Sequence, residues 1–323
     1  MANRRAAIIY NPMSGRPGRR AESALDMVRL LEGQGIEAEA TATSGPSDAT
    51  RLAREAVARG ADTIISYGGD GTLNEVIQGM IGSQASLAVW AGGTANVVAR
   101  DLGLPFNKEE LAKIIASGKS RRITLGLASS PGLPENGSSE PREQATPSGM
   151  QAAASSAGAL QRYFFMFSGI GLDASIARRV NLKLKRRTGQ FAYWVTGLKH
   201  MLSWRAEPFD VEVDGKTYES IFTLVGNGKG YGGGLCMTPR AKLEEPWFEV
   251  FIMPRRSNNI VYLSDLAACL SGNAERAKAT LVRGRRVKAV SPHELWVQAD
   301  GEIIGALPMT FDAVPGALSI IIP

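Results

Sequence analysis

Two stretches of the chain set carboxylates on glycine turns, and both have the residue types of a phosphate-handling site. The first is Ser66-Tyr67-Gly68-Gly69-Asp70-Gly71-Thr72-Leu73-Asn74-Glu75-Val76, the second Asp300-Gly301-Glu302. In the first, three glycines around one aspartate let the backbone approach a ligand unobstructed by Cβ atoms, and the helix expected to follow adds unpaired N–H groups and the positive end of its dipole. That combination suits a phosphate. Asp70 itself would be repelled by a bare phosphate, so its carboxylate makes sense against a metal, a hydroxyl or a ribose. No Lys-Ser/Thr pair follows the last glycine, so this is not a Walker loop. In the second stretch, two carboxylates share a tight turn between two strand patterns.

The rest of the composition narrows the chemistry. Two cysteines, Cys236 and Cys269, form no metal-ligand or redox spacing, and two histidines are too few for an imidazole metal site. Catalysis would therefore run on carboxylates, backbone amides and Mg²⁺. The 323 residues exceed one typical domain. The net charge of +6 and a pI near 9.4 fit a phosphate substrate or an anionic membrane surface, and no aromatic-basic repeat points to nucleic acid. No run of 18 apolar residues appears and no secretory leader pattern opens the chain, so a cytoplasmic protein is expected.

These residues need strands and helices to position them. Ala6-Ala7-Ile8-Ile9-Tyr10 reads as a strand running into the turn-rich Asn11-Pro12-Met13-Ser14-Gly15. A helix from near Arg20 places Leu25, Val28 and Leu31 on one face; a strand over 36–43 and a capped helix over 49–59 follow. Residues 61–65 form the strand entering the Asp70 turn. Another over 86–90 enters Ala91-Gly92-Gly93-Thr94-Ala95-Asn96 and then a helix. Alternating strands and helices predict a doubly wound α/β domain with a parallel sheet. Ligands of such sheets bind at the carboxyl ends of the strands. The loops 11–15, 68–72 and 92–96 therefore converge, with Asn11, Ser14, Gly93 and Thr94, into what looks like a polyphosphate cradle.

The second half has a different texture. Residues 129–158 are rich in Ser, Pro, Gly, Ala, Glu and Gln and are expected to form a disordered insertion. Arg162 to Asp173 reads as one strong strand ending in a glycine turn. From Arg178 to Arg187 six basic residues occur without an acid, and an aromatic-rich helical pattern over 191–204 follows, a pairing suited to an anionic bilayer. Short strand patterns then recur at 209–213, 220–225, 248–253, 286–290, 295–299, 302–307 and 309–322, interrupted by one helix over 260–271, so this half is mainly antiparallel β. The glycine-dense Gly226-Asn227-Gly228-Lys229-Gly230-Tyr231-Gly232-Gly233-Gly234 is a second candidate loop.

Taken in order, Asn11-Pro12-Met13-Ser14-Gly15, Gly68-Gly69-Asp70-Gly71-Thr72-Leu73-Asn74-Glu75, Gly93-Thr94-Ala95-Asn96, Gly226-Asn227-Gly228, Gly232-Gly233-Gly234 and Asp300-Gly301-Glu302 resemble the diacylglycerol kinase catalytic-domain family, which includes bacterial lipid kinases and sphingosine kinases. Gly-Gly-Asp-Gly-Thr alone is also shared with NAD kinases and phosphofructokinases. The resemblance implies an N-terminal nucleotide-binding α/β domain (1–125), a C-terminal β-sandwich lipid-substrate domain (126–310, containing the insertion) and a last segment (311–323) returning to the first domain, with ATP in the cleft between them. By position it implies ATP contacts at Thr43, Gly68, Gly69, Asp70, Gly71, Thr72, Leu73, Asn74 and Thr94, and a proton acceptor at Glu302 with Asp300 beside it.

One stretch departs from the family. Where relatives carry Asp-Asp-Gly at a structural Mg²⁺, this chain has Lys242-Leu243-Glu244-Glu245-Pro246-Trp247. Lys242, Glu245 and Trp247 fall at the metal positions, but the longer glutamate moves the oxygens and Pro246 fixes φ where glycine is free. The expected function is an ATP- and Mg²⁺-dependent lipid kinase acting on diacylglycerol at a membrane surface, peripherally bound, with a homodimer left open. The rivals are an NAD kinase-like phosphotransferase and a non-catalytic ATP- or lipid-binding protein.

Overall fold

Runs of Ile, Val, Ala and Leu bounded by polar turns set the strands of the first half, and the computed structural model pairs them in parallel. It describes residues 4–14, 18–131, 160–171, 207–230, 236–255, 261, 262, 264, 265, 268 and 278–323. The expected insertion lies mostly outside these residues, as do the basic segment with its aromatic helix, the glycines at 232–234 and most of the helix over 260–271.

Strands β1 (Arg4–Tyr10), β2 (Ile36–Ala42), β3 (Thr63–Gly68) and β4 (Ser86–Ala91) stand in the order β2-β1-β3-β4, with Ala6 opposite Thr63 and Gly68 opposite Ala91. They are joined by α1 (Arg20–Glu32), α2 (Asp48–Ala58) and α3 (Asp70–Met80), and α4 (Val97–Asp101) and α5 (Lys108–Ser117) follow β4. Helix α1 packs beside α5, and α2 beside α3. The buried seam of α1 is Arg20, Ala24, Met27 and Leu31, and Leu25 is exposed. The expected face is thus corrected at Leu25, while Val28 is half-buried against the core: stepping back from Leu31 by four, seven and eleven stays on one side of a 3.6-residue helix, whereas a step of six leaves it.

The second half is a two-sheet antiparallel structure. Strands β5 (Ser120–Ser130), β6 (Leu160–Phe164), β8 (Phe209–Val213), β9 (Lys216–Ser220), β13 (Arg286–Val290) and β16 (Met309–Ile321) join the first sheet. Strands β7 (Phe167–Ile170), β10 (Phe222–Gly226), β11 (Phe248–Met253), β12 (Thr280–Gly284), β14 (Trp296–Ala299) and β15 (Glu302–Ala306) form the other, in the order β12-β11-β10-β7-β14-β15. The Asp-Gly turn between β8 and β9 has φ of 45° at Asp214 and 87° at Gly215, the left-handed pair that a two-residue hairpin requires. Phe164, Phe248 and Phe311 interlock in the core between the sheets, with ring centroids 5.7 and 6.3 Å apart. Strand β16 pairs antiparallel with β5 and β13 and, at Ser319 and Ile320, parallel with β4, so one strand belongs to both halves.

Two expectations change here. The apolar run from Arg162 is not one strand: the chain turns at Phe165-Met166 and moves from β6 in one sheet to β7 in the other. β12 escaped the sequence pattern because its alternation, with only Leu281 and Val282 apolar, is weak. No helix among the described residues is long and apolar enough to cross a membrane.

Helices α2 and α3 meet at Gly79, where an added Cβ would lie 2.3 Å from the Thr50 carbonyl oxygen and 2.8 Å from the Ala53 Cβ. Gly→Ala inside an exposed helix stabilises it by about 0.5–1 kcal/mol. At this contact the sign reverses: Gly79→Ala should destabilise the fold by about 1–3 kcal/mol, read as a lowered midpoint in urea unfolding.

Candidate active site

Because β1 to β4 run parallel, the loops that leave them emerge at one end of the sheet. The Asn11 amide still donates to the Tyr67 carbonyl (3.1 Å), and its side-chain oxygen accepts from the Met13 N–H (2.9 Å), turning the chain. Ser14 Oγ reaches across to donate to the Gly92 carbonyl (3.1 Å), and the Gly92 N–H donates to the Gly68 carbonyl (2.8 Å). Thr43 extends the ladder past β2 by donating to the Tyr10 carbonyl (2.9 Å). In the loop after β4, Asn96 adopts φ of 47°; its side chain accepts from the Gly93 N–H (2.7 Å) and donates to the Gly93 carbonyl (2.9 Å), leaving Thr94 exposed at the tip.

Glycine is required at two of these positions by contact. A Cβ on Gly93 would sit 2.5 Å from the Gly69 Cα, and one on Gly68 would sit 2.5 Å from Thr72 Oγ1. The loops after β3 and β4 press backbone to backbone, and their amide groups line a surface free of side-chain bulk. Gly71, on the first turn of α3, is exposed. Leu73 and Asn74 are buried, 3% and 2% exposed: Leu73 packs into the core and Asn74 makes a structural bond described below.

Asp70 is the first residue of α3, where a negative charge complements the helix dipole. Its Oδ1 accepts from the Val97 N–H (2.9 Å), which joins the starts of α3 and α4. Burial raises the pKa of this carboxyl, and the N–H groups of Val97, Val98, Asp70 itself and Asn96 oppose that rise.

Asp300 lies in the β14–β15 turn with φ of 47°, followed by Gly301 at 86°. Its Oδ1 accepts from the N–H groups of Met166 (2.9 Å) and Phe167 (3.1 Å), and its Oδ2 from the Phe165 N–H (2.6 Å) and Asn74 Nδ2 (2.9 Å). Burial raises its pKa, yet each oxygen accepts two N–H bonds, an arrangement that only the ionised form satisfies. With its oxygens so occupied, Asp300 is a positioning residue rather than one free to meet reacting atoms. It fixes the corner between β6 and β7 and ties it to α3.

Glu302, two residues on, keeps one carboxylate oxygen, Oε1, clear of protein donors among the described residues. Its Oε1 lies 3.5 Å from where a Cβ of Gly71 would stand, so it reaches the first turn of α3. Its Oε2 accepts from Arg162 Nη2 on β6 at 2.8 Å. The Glu302 side chain keeps 45% of its surface, but it lies in a recess where surrounding protein displaces water, and this desolvation raises its pKa; Arg162 pulls it down, and Glu75 and Asp300 push it further up. Arg162 was legible in the sequence only as an outward position of a strand. Gln78, also unforeseen, holds β6 in place by accepting from the Tyr163 N–H (3.1 Å) and donating to the Tyr163 carbonyl (2.9 Å).

At Lys242, Glu245 and Trp247, where the resemblance implies a structural Mg²⁺, the backbone is tied to Thr124 and to itself. The Leu243 carbonyl accepts from the Thr124 N–H (2.6 Å), the Glu245 carbonyl from Thr124 Oγ1 (2.7 Å), and the Lys242 carbonyl from the Glu245 N–H (3.0 Å). Glu244 pairs with Arg121. Protein donors close this turn, and among the described residues no cluster of three His, Cys, Asp or Glu side chains could hold a metal ion. The glycine-dense loop is likewise anchored at its start, where fully buried Asn227 donates to the carbonyls of Thr124 (2.8 Å) and Phe165 (2.7 Å).

Asp300→Asn would turn one oxygen into an N–H donor facing N–H donors. A stability loss of about 3 kcal/mol is expected by chemical unfolding, against about 1 kcal/mol for Asn74→Ala, which leaves the three backbone bonds intact.

Comparison with known proteins agrees with this architecture. Residues 5–128 match the model of the diacylglycerol kinase catalytic domain, and residues 168–322 match that of the YegS C-terminal NAD kinase beta sandwich-like domain. The chain is 29% identical to a diacylglycerol kinase of Bacillus subtilis (strain 168), over 99% of this chain and 97% of that one. It is 28% identical to a diacylglycerol kinase of Staphylococcus saprophyticus over 95% of this chain and 92% of the other. A crystal structure of a diacylglycerol kinase from Bacillus anthracis str. Sterne superposes with a TM-score of 0.73 at 22% identity, covering 99% of this chain and 97% of that one, and shares the fold. With its parallel α/β half, its antiparallel sandwich and the glycine loops between them, the chain belongs to the diacylglycerol kinase catalytic-domain family.

Proposed function

We propose that the protein is an ATP-dependent lipid kinase that transfers the γ-phosphate to the hydroxyl of a membrane lipid, diacylglycerol being the acceptor the named relatives favour. One observation carries the reading: the Glu302 carboxylate reaches the glycine-opened start of α3 at Gly71, 3.5 Å from where a Cβ of that residue would stand. A phosphoryl group held by the backbone amides at 68–72 and 92–94 would meet an acceptor hydroxyl whose proton Glu302 can take. A lipid hydroxyl is a weak acid, so Glu302 acts late, as the new P–O bond forms, while the amide dipoles and the N-terminus of α3 hold the phosphate charge. Arg162 fixes one Glu302 oxygen and leaves Oε1 for the substrate. Mg²⁺ carried with ATP would screen the phosphate charge, and Asp70 is the residue that would hold it.

The test is labelled ATP offered with diacylglycerol vesicles and, separately, with NAD. Labelled phosphatidic acid is expected, and Asp70→Asn and Glu302→Gln should each lower kcat by about a hundredfold or more. Label in NADP instead, or activity undiminished by both variants, would overturn the reading.

The raised pKa of Glu302 also fixes the sign of the pH dependence. The base must be ionised, so kcat/KM falls as pH drops through a limb lying above the ordinary glutamate range. Arg162→Met removes a cation that favours the ionised form and should move this limb up by about one pH unit. A limb unmoved by the variant would separate Arg162 from Glu302.

A further inference from the structure

Arg20 is the most anomalous charge among the described residues. It is 8% exposed, it occupies the first position of α1 where the helix dipole repels a cation, and no carboxylate of the described residues lies within ion-pair distance of it. What surrounds it instead is the cradle. Its Nε donates to the Ser14 carbonyl (2.8 Å), its Nη2 donates to the Gly92 carbonyl, and its guanidinium lies over the Tyr67 ring at 4.4 Å, with Trp90 stacked on the far face at 3.5 Å. A Cβ on Gly92 would fall 2.0 Å from Nη1, so the glycine there makes room for the arginine. Nη1 has no acceptor among the described residues. Carbonyl oxygens and a π-face soften the burial of this charge but do not neutralise it.

A buried cation without a counter-ion, tied to the loops after β1 and β4, is suited to an anion that arrives later. Resting on the kinase reading above, we propose that Arg20 is a positioning residue of the nucleotide site: it holds the loops at 11–14 and 92–94 in register and supplies the fixed positive charge that an incoming polyphosphate balances. Ser14 Oγ, which shares the Gly92 carbonyl with Arg20, belongs to the same tie.

The roles of charge and of scaffold separate experimentally. Binding of ATP, inorganic tripolyphosphate and adenosine is measured by calorimetry on the full chain without lipid, alongside thermal unfolding of the free protein. Arg20→Met should unfold within a few degrees of wild type, since replacing an unbalanced buried charge by an apolar side chain costs little. It should bind ATP and tripolyphosphate about tenfold or more weakly, with adenosine within about twofold. Arg20→Lys, which keeps the charge, should stay within about threefold of wild type for ATP, and it serves as the deciding variant if the methionine protein does not fold. Tripolyphosphate binding unchanged in Arg20→Met, adenosine and tripolyphosphate weakened alike, or a tenfold loss in Arg20→Lys would each overturn the assignment. Wild-type protein that binds neither ATP nor tripolyphosphate overturns the kinase reading itself, whereas wild-type binding that survives Arg20→Met overturns only the role of Arg20.

Discussion

The crevice depends on one carboxylate that faces inward. Asp300 gathers three consecutive backbone N–H groups at the corner between β6 and β7 and a fourth donor from Asn74 on α3. A buried ion is stable only when its lone pairs are filled, and here filling them requires the sandwich, the corner and the first-half helix to arrive together. The left-handed backbone at Asp300 aims the carboxylate inward, and the turn it begins sets Glu302 at the start of β15, opposite Gly71. The placement of Glu302 against α3 is thus set by half-buried hydrogen bonds around Asp300.

The opposite wall is built by removing atoms. Gly93 lets the loops after β3 and β4 touch through backbone, since a Cβ there would lie 2.5 Å from the Gly69 Cα, while Gly68 and Gly92 make room for the side chains of Thr72 and Arg20. Backbone amides held at that spacing cannot rearrange, so they present a preorganised field to a phosphate. Rigid backbone on one side and a carboxylate steadied by Arg162 on the other leave the ligand as the part that must adapt.

How much of this could be read from the residues differs by element. The parallel strands and the loops at their ends were legible because period-two alternation and glycine turns are local signals. The break at 165–166 was not, because the run from Tyr163 to Phe167 is apolar on both sides of the turn, and what bends it is an aspartate more than 130 positions away. Asn74, by the resemblance an ATP contact, stands in the motif beside Glu75. Asn74 bonds Asp300, and Glu75 accepts from the Ala49 N–H at the start of α2 (3.2 Å), so a motif that resembles the lipid kinases does its work in holding helices and domains together. Arg20 and Arg162 carried no sequence signal, since an arginine on an amphipathic segment is normally a solvated one.

Strand β16 has a further consequence for how the chain comes to be folded. Its Ser319 and Ile320 cover the outer side of β4, opposite the flank taken by β3. As the polypeptide leaves the ribosome, β4 therefore stays an open edge, able to pair wrongly with any passing strand, until the residues around 319 emerge. The nucleotide half cannot finish on its own schedule, and truncating the last few residues would reopen the flank of the sheet that carries Asp70.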